Sequence, residues 1–384
     1  MPLSQINRRR FLGASAAAGW ALSQAVGEGS TPGTPPAVRV GVVGLGNRGT
    51  TLLRTLLEIE GVQVVALADQ ESRHRDRAAG IVEKATGNRP DVMERAATLL
   101  ARTDVDAVAV ALPCDLHAGV YRDAIRAGKH LYGEKPLAAT LADCDLVIVE
   151  AARYPELVVH VGFQRRSNPR HRDAVALAGR NELGPLVSGV AAWNSSNGPM
   201  NGHGGWLASR ARSGDWMVEQ AVHVWDVFGW LKGGEPPVRA IGHGRRDLFA
   251  ASQPDRDVTD DYAVNLEWAD GFRLAFSQTW IAPADDAFTG ITQKVVGELG
   301  GLDFATGSVT FRDRRQGRVA LHPGPQPDTR FALEAFVRAC RTPGPDTPPI
   351  SLAEARLATA VGLLARRAVD ERRVVTWDEV ASPG

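Results

Sequence analysis

The chain has 384 residues, 44% of them hydrophobic and 23% charged, a composition typical of a globular protein with about two domains. Lys plus Arg and Asp plus Glu number 44 each, so the formal net charge is zero, which argues against a nucleic-acid partner. None of the 3 cysteines forms a C-x-x-C pair, which excludes a disulfide framework and a cysteine-built zinc site.

The N-terminal segment has the three parts of an export signal. Arg9 and Arg10 precede an apolar stretch over 13–22, and small residues follow at 23–25. The apolar stretch is shorter than the about 20 residues that span a bilayer. The pattern is similar to a twin-arginine (Tat) signal. It predicts a bacterial protein that the Tat machinery exports to the periplasm or another extracytoplasmic space. No membrane span is expected after processing, and a basic N-terminus with a fortuitous apolar run is the alternative.

The domain bounds follow from this signal and from the composition behind it. We assign 1–25 to the signal peptide and 26–37, rich in Gly and Pro, to a flexible linker. The mature fold is expected to begin at Val38.

A glycine-rich turn follows the first predicted strand, 38–43. The turn reads G-x-G-x-x-G, and leucines at helical spacing come next. Glycines here permit a tight turn, close approach of backbone to a pyrophosphate, and close packing of helix on strand. The N-terminus of the helix favours an anion. The turn therefore predicts dinucleotide binding by Gly44, Leu45, Gly46, Asn47, Arg48 and Gly49.

Asp69 ends the second apolar run, 62–68, and lies 20 residues beyond Gly49. A carboxylate in this place accepts hydrogen bonds from ribose hydroxyls and repels a 2′-phosphate, so NAD is favoured as cofactor and NADP is possible. Arg73 and Arg75 are close in sequence and could reverse this preference. The alternative role for Asp69 is to cap the next helix.

Strands and helices alternate through the rest of the first half. The pattern predicts strands at 105–112 and 157–162 and helices at 116–127 and 141–152. This alternation indicates an α/β fold, a Rossmann-type doubly wound parallel sheet over 38–162.

The second half contains a long polar connection, 193–215. Its length and glycine content indicate a functional loop. Aromatic faces stack on sugars and arginines bind hydroxyls, so Trp206 and Arg210 are predicted to wall a carbohydrate site. A surface excursion or an oligomer contact is the alternative. Further on, runs 260–268 and 272–280 alternate around an Asp-Gly turn and predict a β-hairpin.

An ordered set of motifs resembles the Gfo/Idh/MocA family, named for glucose–fructose oxidoreductase, inositol dehydrogenase and a rhizopine-catabolism protein. The resemblance covers essentially the mature chain. Its members are the glycine-rich turn, Asp69, Pro113 with His117, Glu134-Lys135-Pro136, the run Val-Gly-Phe-Gln-Arg-Arg over 161–166, Glu219 to Asp226, and a closing helix over 351–370. The resemblance implies a C-terminal α+β domain over 163–384, with an open, mainly antiparallel sheet for substrate binding and homo-oligomer formation.

The resemblance also implies the site. In the family, the Lys of Glu-Lys-Pro lies beside the nicotinamide and the substrate hydroxyl, and the peptide before the proline is often cis. Lys135 is therefore expected to stabilise negative charge or move a proton. A surface lysine is the alternative. The remaining residues implied are Pro113, His117 and Glu134 at the cofactor and Gln164 and Arg165 at the substrate.

Glu219, His223 and Asp226 match the family motif Asp-x-x-x-His-x-x-Asp, with Glu in the first place. Their spacing puts all three on one face of a helix. Histidine can act as a base near neutral pH, so His223 is predicted to take the hydroxyl proton. Glu219 would bind a neighbouring hydroxyl or orient His223, and Asp226 would bind substrate. A buried structural histidine and a locally paired Asp226 are the alternatives. A metal site is not predicted, because no further histidines accompany them.

The resemblance implies an exported NAD(P)-dependent oxidoreductase acting on a secondary hydroxyl of a sugar, polyol or glycoside. Free NAD would be scarce outside the cytoplasm, so we expect a tightly bound cofactor that is reoxidised in place. One alternative is an NAD-dependent glycoside hydrolase that oxidises the ring transiently, eliminates the anomeric substituent and returns the hydride. Another is a non-catalytic dinucleotide- or sugar-binding sensor.

Overall fold

The computed structural model describes residues 37–200, 203–313, 317–342 and 350–381. The predicted signal peptide and all but the last residue of the predicted linker lie outside these ranges. Within them, no helix is both long enough and apolar enough to cross a membrane.

A six-stranded parallel sheet forms from the first half of the chain. Its strands are β1 (Val38–Val43), β2 (Val62–Ala68), β3 (Asp91–Met93), β4 (Ala107–Val110), β5 (His130–Gly133) and β6 (Val159–Val161), in the order β3-β2-β1-β4-β5-β6. Helices α1 (Asn47–Leu57), α2 (Ser72–Thr86), α3 (Ala96–Leu100), α4 (His117–Arg126) and α5 (Leu141–Ala151) connect them. The predicted doubly wound sheet is confirmed. Strand order reverses between β1 and β4, the place where such sheets bind ligands.

Burial explains why these strands read as apolar runs. All four residues of β4 are buried, as parallel strands covered on both faces require. The strand is shorter than the predicted 105–112. At its beginning, the Asp106 carboxylate accepts hydrogen bonds from the backbone and guanidinium of Arg39. At its end, Pro113 opens a short 3₁₀ turn, Cys114–Leu116.

A nine-stranded mixed sheet forms from the second half. Its strands are β7 (Leu186–Asn194), β8 (Arg239–Arg245), β9 (Asp261–Glu267), β10 (Arg273–Thr279), β11 (Gly290–Gly297), β12 (Gly300–Asp303), β13 (Ser308–Phe311), β14 (Arg318–Ala320) and β15 (Val375–Thr376), in the order β14-β13-β12-β11-β7-β10-β9-β8-β15. Only β7 and β10 pair in parallel among these described strands. The predicted β9–β10 hairpin and the mainly antiparallel sheet are confirmed.

The helices of the second half are α6 (Pro169–Gly179), α7 (Arg210–Ser213), α8 (Trp216–Glu219), α9 (Val222–Leu231), α10 (Asp328–Arg341), α11 (Leu352–Glu371) and α12 (Asp378–Ala381). Helix α11 is the predicted closing helix, and Ser351 begins it with a capping box to Glu354. Helix α10 packs away from its own half: Leu333 and Phe336 share a hydrophobic core with Val40 and Leu53 of the first half. The two halves are therefore joined by apolar packing.

The prediction of one helix carrying Glu219, His223 and Asp226 is wrong. Helix α8 ends at Glu219, and α9 begins at Val222. At the junction the His223 amide donates to the carbonyl of Gln220, three residues back, so the chain makes a tighter turn than an α-helix. The side-chain amides of Gln278 on β10 and Gln220 hydrogen-bond at 2.5 Å, which holds this junction against the sheet.

Candidate active site

The glycine-rich turn has the shape that a dinucleotide requires. A Cβ at Gly44 would lie 2.1 Å from the carbonyl oxygen of Ala111, and one at Gly49 would lie 1.8 Å from the carbonyl oxygen of Gly44, so packing demands both glycines. By contrast, apart from its two chain neighbours, no described residue has an atom within 4 Å of a Cβ built at Gly46. Gly46 also begins α1 without a side-chain cap. An open backbone and uncapped amides at a helix N-terminus fit a pyrophosphate.

Asp69 holds this turn from the end of β2. Its carboxylate accepts from the Leu45 amide at 2.6 Å and from the Glu71 amide at 2.8 Å. Arg75 donates to the carbonyl oxygens of Asp69 and Gln70. Backbone groups thus engage Arg75, and the exposed Arg73 lies 3.7 Å from the Glu71 carboxylate, while the Asp69 carboxylate stays beside the turn.

Arg48, predicted to contact cofactor, links the turn to three other segments. Its Nε donates to the buried Glu134 carboxylate at 2.7 Å, and its Nη1 donates to the Thr329 hydroxyl of α10 at 2.9 Å. The Gln164 amide lies 3.2 Å from the same hydroxyl and faces Arg48. The glycine-rich turn and the Glu-Lys-Pro turn are therefore fastened to the second half of the chain. Sequence reasoning missed Thr329, because an isolated threonine at the start of a helix carries no motif.

His117 braces the site from behind. Its ring is buried, and its nitrogens lie 2.7 Å from the carbonyl oxygen of Pro136 and 2.9 Å from that of Leu112. Both nitrogens face backbone carbonyls, and a contact of His117 with cofactor stays a prediction. The residue joins the end of the loop before Pro113 to the Lys135-Pro136 peptide, which is cis as expected.

Lys135 and Glu219 meet as the motifs indicate. The ammonium donates to the Glu219 carboxylate at 2.7 Å and to the Glu219 carbonyl oxygen at 2.6 Å. Burial by itself lowers the pKa of Lys135, but nearby groups, Glu219 first among them, raise the pKa above its ordinary value. The lysine is therefore a cation. An ammonium has three protons, so one is left for a substrate oxygen.

His223 stands beside this pair and is a free base. Burial, followed by the charges of Lys135, Arg165 and Arg48, lowers its pKa well below 6.5, which leaves the imidazole neutral. Neither ring nitrogen hydrogen-bonds to a described residue. The ring stacks on Trp193 of β7, with centroids 5.9 Å apart. A neutral imidazole beside a fixed ammonium can accept a proton while the ammonium stabilises the oxygen left behind.

Asp226 is engaged in a local ion pair, the alternative to its predicted substrate contact. Its carboxylate is buried and accepts from Arg166 at 2.8 and 2.9 Å. Arg166 also binds Glu354 of α11 at 2.8 Å and lies over the ring of Trp230. Asp226 lies one turn of α9 beyond His223. It therefore belongs to a buried group of charges that joins α9, the segment after β6 and α11.

Asp226→Asn is expected to lower the free energy of unfolding by about 3 kcal/mol, because the change leaves a buried guanidinium short of a partner. Turnover by the folded enzyme should hardly change, since Asp226 lies outside the reacting group. Urea unfolding and steady-state kinetics measure the two. The control is Asp145→Asn, which breaks an exposed pair with Arg356 and should cost less than about 1 kcal/mol. A raised KM with unchanged stability would restore the substrate role.

Trp206 and Arg210 also lie differently from the prediction. The connection after β7 contains a 3₁₀ segment, His203–Ala208, and α7, so it is not structureless. Trp206 is half-buried against the hydrophobic core. Arg210 donates to Asp215 at 2.8 Å and to Asp370 at 2.7 Å, which engages its guanidinium in holding the loop to α11. Neither residue is shown to wall a sugar site.

Known proteins share this fold. Residues 38–163 match the domain described as "Oxidoreductase family, NAD-binding Rossmann fold", and residues 171–303 match the C-terminal domain of the same family. The scyllo-inositol dehydrogenase of Lactobacillus casei, solved with bound NAD(H) and scyllo-inositol, superposes with a TM-score of 0.72 at 20% identity, over 90% of this chain and 100% of that one. At this identity the likeness shows the fold.

Two relatives bear on the family assignment. A 4-carboxy-2-hydroxymuconate-6-semialdehyde dehydrogenase of a Sphingobium species is 27% identical over 77% of this chain and 94% of its own length. Inositol 2-dehydrogenase 1 of Saccharopolyspora erythraea is 30% identical over 79% of this chain and 86% of its own length. The matches to both domains and the identity to this second relative show that the chain belongs to the Gfo/Idh/MocA family of NAD-binding oxidoreductases.

Proposed function

We propose that this protein is a dehydrogenase that oxidises a secondary hydroxyl of a sugar, polyol or glycoside with NAD. The observation that carries the proposal is the meeting of a charged Lys135 and a neutral, unbonded His223 next to a glycine-rich turn that fits a dinucleotide. Inositol dehydrogenases among the relatives support a polyol or sugar hydroxyl as the reacting group.

The chain's own residues would manage the substrate oxygen and its proton. A bound nicotinamide supplies the hydride acceptor. The third proton of the Lys135 ammonium binds the substrate oxygen and stabilises the negative charge that develops on it. His223 accepts the hydroxyl proton. Glu219 fixes Lys135 through two hydrogen bonds and thereby sets the direction of that contact.

The same proposal extends to location and cofactor retention. A Tat signal exports folded proteins, so the nucleotide would be loaded before export and held tightly afterwards. Support comes from Arg48, which fastens the glycine-rich turn to Thr329 of the second half. NAD is preferred because Asp69 stays beside the turn and Arg75 is held by backbone carbonyls.

Purified protein, denatured without added nucleotide, is expected to release NAD in a near one-to-one ratio to chain. Mass spectrometry identifies the nucleotide. Release of none, together with no NAD or NADP binding by the folded protein, would refute the proposal.

Incubation of the untreated protein with sugars and aryl glycosides then separates dehydrogenation from redox glycoside hydrolysis. Release of the aryl group without net oxidation of the sugar would show that the protein is an NAD-dependent glycoside hydrolase and not a dehydrogenase.

A homo-oligomer belongs to the same proposal. The outer face of the nine-stranded sheet exposes Val190 on β7 and Val296 on β11, each more than half exposed. Neighbouring strands place them close together, since Lys294 of β11 pairs with Val190. An exposed apolar face of a sheet favours association with a second copy. Light scattering on the same preparation measures the mass, and a monomer would contradict this part.

A further inference from the structure

One cation of the site has no carboxylate partner. The half-buried guanidinium of Arg165 donates through Nη1 to the carbonyl oxygen of His223 at 3.3 Å, and it lies over the ring of Trp193, 5.6 Å from the centroid. Its Nε and Nη2 make no hydrogen bond to any described residue, and no carboxylate of a described residue lies within 4 Å. A guanidinium without an ion pair at the reacting centre calls for an explanation.

Other cations near Arg165 are engaged. Four ion pairs hold three of them: Lys135 with Glu219, Arg48 with Glu134, and Arg166 with Asp226 and with Glu354. A fourth, Arg170, donates to the backbone carbonyl oxygens of Ala305, His322 and Gly324.

A carboxylate outside these pairs, Asp328, also acts on Arg165, but from beyond ion-pair distance. Its oxygen accepts from Asn168 at 2.5 Å. Asp328 therefore offsets part of the charge without occupying the guanidinium.

The free part of Arg165 lies close to the candidate base. Trp193 carries Arg165 over its ring and also stacks on His223, so the arginine and the base are neighbours on one aromatic surface. A guanidinium that lies over a ring leaves its edge for a planar, bidentate partner. A carboxylate matches that edge and its single charge, whereas a phosphate dianion would call for more than one unpaired cation.

We propose that Arg165 binds a carboxylate on the substrate, and that this enzyme oxidises a sugar acid such as a hexuronate in preference to the neutral sugar. The inference rests on the proposed dehydrogenase. Lys135 and His223 act on the hydroxyl, and Arg165 selects the molecule that carries it. Arg165 thus determines specificity without taking part in proton transfer.

The test compares matched substrates on the enzyme with its nucleotide bound. Wild type should show a higher kcat/KM for glucuronate than for glucose, and for galacturonate than for galactose. Arg165→Gln should lower kcat/KM for the uronates by about 10- to 100-fold and for the neutral sugars by less than about 3-fold, as expected for a charged hydrogen bond. Arg165→Lys keeps the positive charge but loses the two parallel N–H donors of the guanidinium. Its kcat/KM for the uronates should lie between those of wild type and Arg165→Gln. Arg356→Gln, at a half-buried position that pairs with Asp145, is the control and should change neither.

Calorimetric binding of glucuronate to wild type keeps the inference testable if turnover is absent or the variants misfold. The affinity should fall as salt increases, and glucose affinity should not. A preference for neutral sugars, an equal loss on both substrate classes in Arg165→Gln, or no glucuronate binding would each overturn the inference. NAD release and oxidation of neutral sugars would still stand in those cases, so the proposed function would survive. Loss of both nucleotide and all sugar oxidation would refute the proposed function as well.

Discussion

Lys135→Met is expected to lower kcat/KM by about 10²- to 10⁴-fold, the range lost when an enzyme's proton-handling or charge-stabilising group is removed. Methionine keeps the length of the side chain but removes the ammonium that would bind the substrate oxygen. It also leaves the Glu219 carboxylate without its partner. Steady-state kinetics measure the loss. The nucleotide released on denaturation should stay near the wild-type amount, since Lys135 acts on the substrate side.

Two companion variants make this result specific. Lys84→Met removes an exposed lysine of α2 and should leave activity unchanged. Glu219→Gln keeps a hydrogen-bond acceptor for Lys135 but removes the negative charge, so its loss should be smaller than that of Lys135→Met. If Lys135→Met kept more than about a third of wild-type activity, the ammonium would have no part in the reaction.

His223→Asn is expected to lower kcat/KM by about 10²- to 10⁴-fold and to change the pH profile. Burial and three nearby cations lower the pKa of His223 well below 6.5, so the neutral base persists as pH falls through 6.5. The acid limb of kcat/KM in wild type should therefore lie below the ordinary pKa of histidine. The asparagine variant should lack that limb. A wild-type limb at or above pH 6.5 would contradict His223 as the base.

Trp193 offers a matched pair for the same profile. Trp193→Ala admits water to the imidazole, which weakens the effect of burial and should move the acid limb upward toward pH 6.5. Trp193→Phe keeps an aromatic ring in contact with His223 and should leave the limb near its wild-type place. Equal shifts in both variants would show that stacking does not control the base.

Circular dichroism over the same pH range separates catalysis from unfolding. Burial lowers the pKa of His160 and of His171 to about 3. Each therefore stays neutral in the folded protein while the unfolded chain takes up a proton below about pH 6.5. The unfolded state then binds more protons, so stability falls as pH drops from about 6.5 toward 3. The acid limb of the kcat/KM profile reports catalysis only above the pH at which the protein unfolds.

Local patterns predicted the parts of the fold that local physics determines. Three features depend on neighbours in sequence. The strand at 38–43 is rich in valine, the turn after it needs its glycines, and the hairpin around Gly271 alternates apolar and polar residues along both strands. Ser351 and Glu354 likewise mark the start of α11, because a capping box forms within one turn. Strand lengths depend on partners outside the strand, which decide where pairing stops, so β4 is shorter than the predicted 105–112.

The sequence by itself determined which reactive and binding groups the chain carries: a glycine-rich turn, an acid after the second strand, one lysine before a proline, and a histidine four residues after a glutamate. It did not determine which of these groups meet. Contacts between these groups depend on how elements distant in sequence pack. Examples are the end of α8 at Glu219, the ion pair of Asp226 with Arg166, and the hydrogen bond from Arg48 to Thr329. Spacing fixes a residue's face on its own helix, but the partner on the facing surface follows from the packing of whole elements. Only the tertiary structure could therefore separate the residues around Lys135 and His223 from those that hold the scaffold.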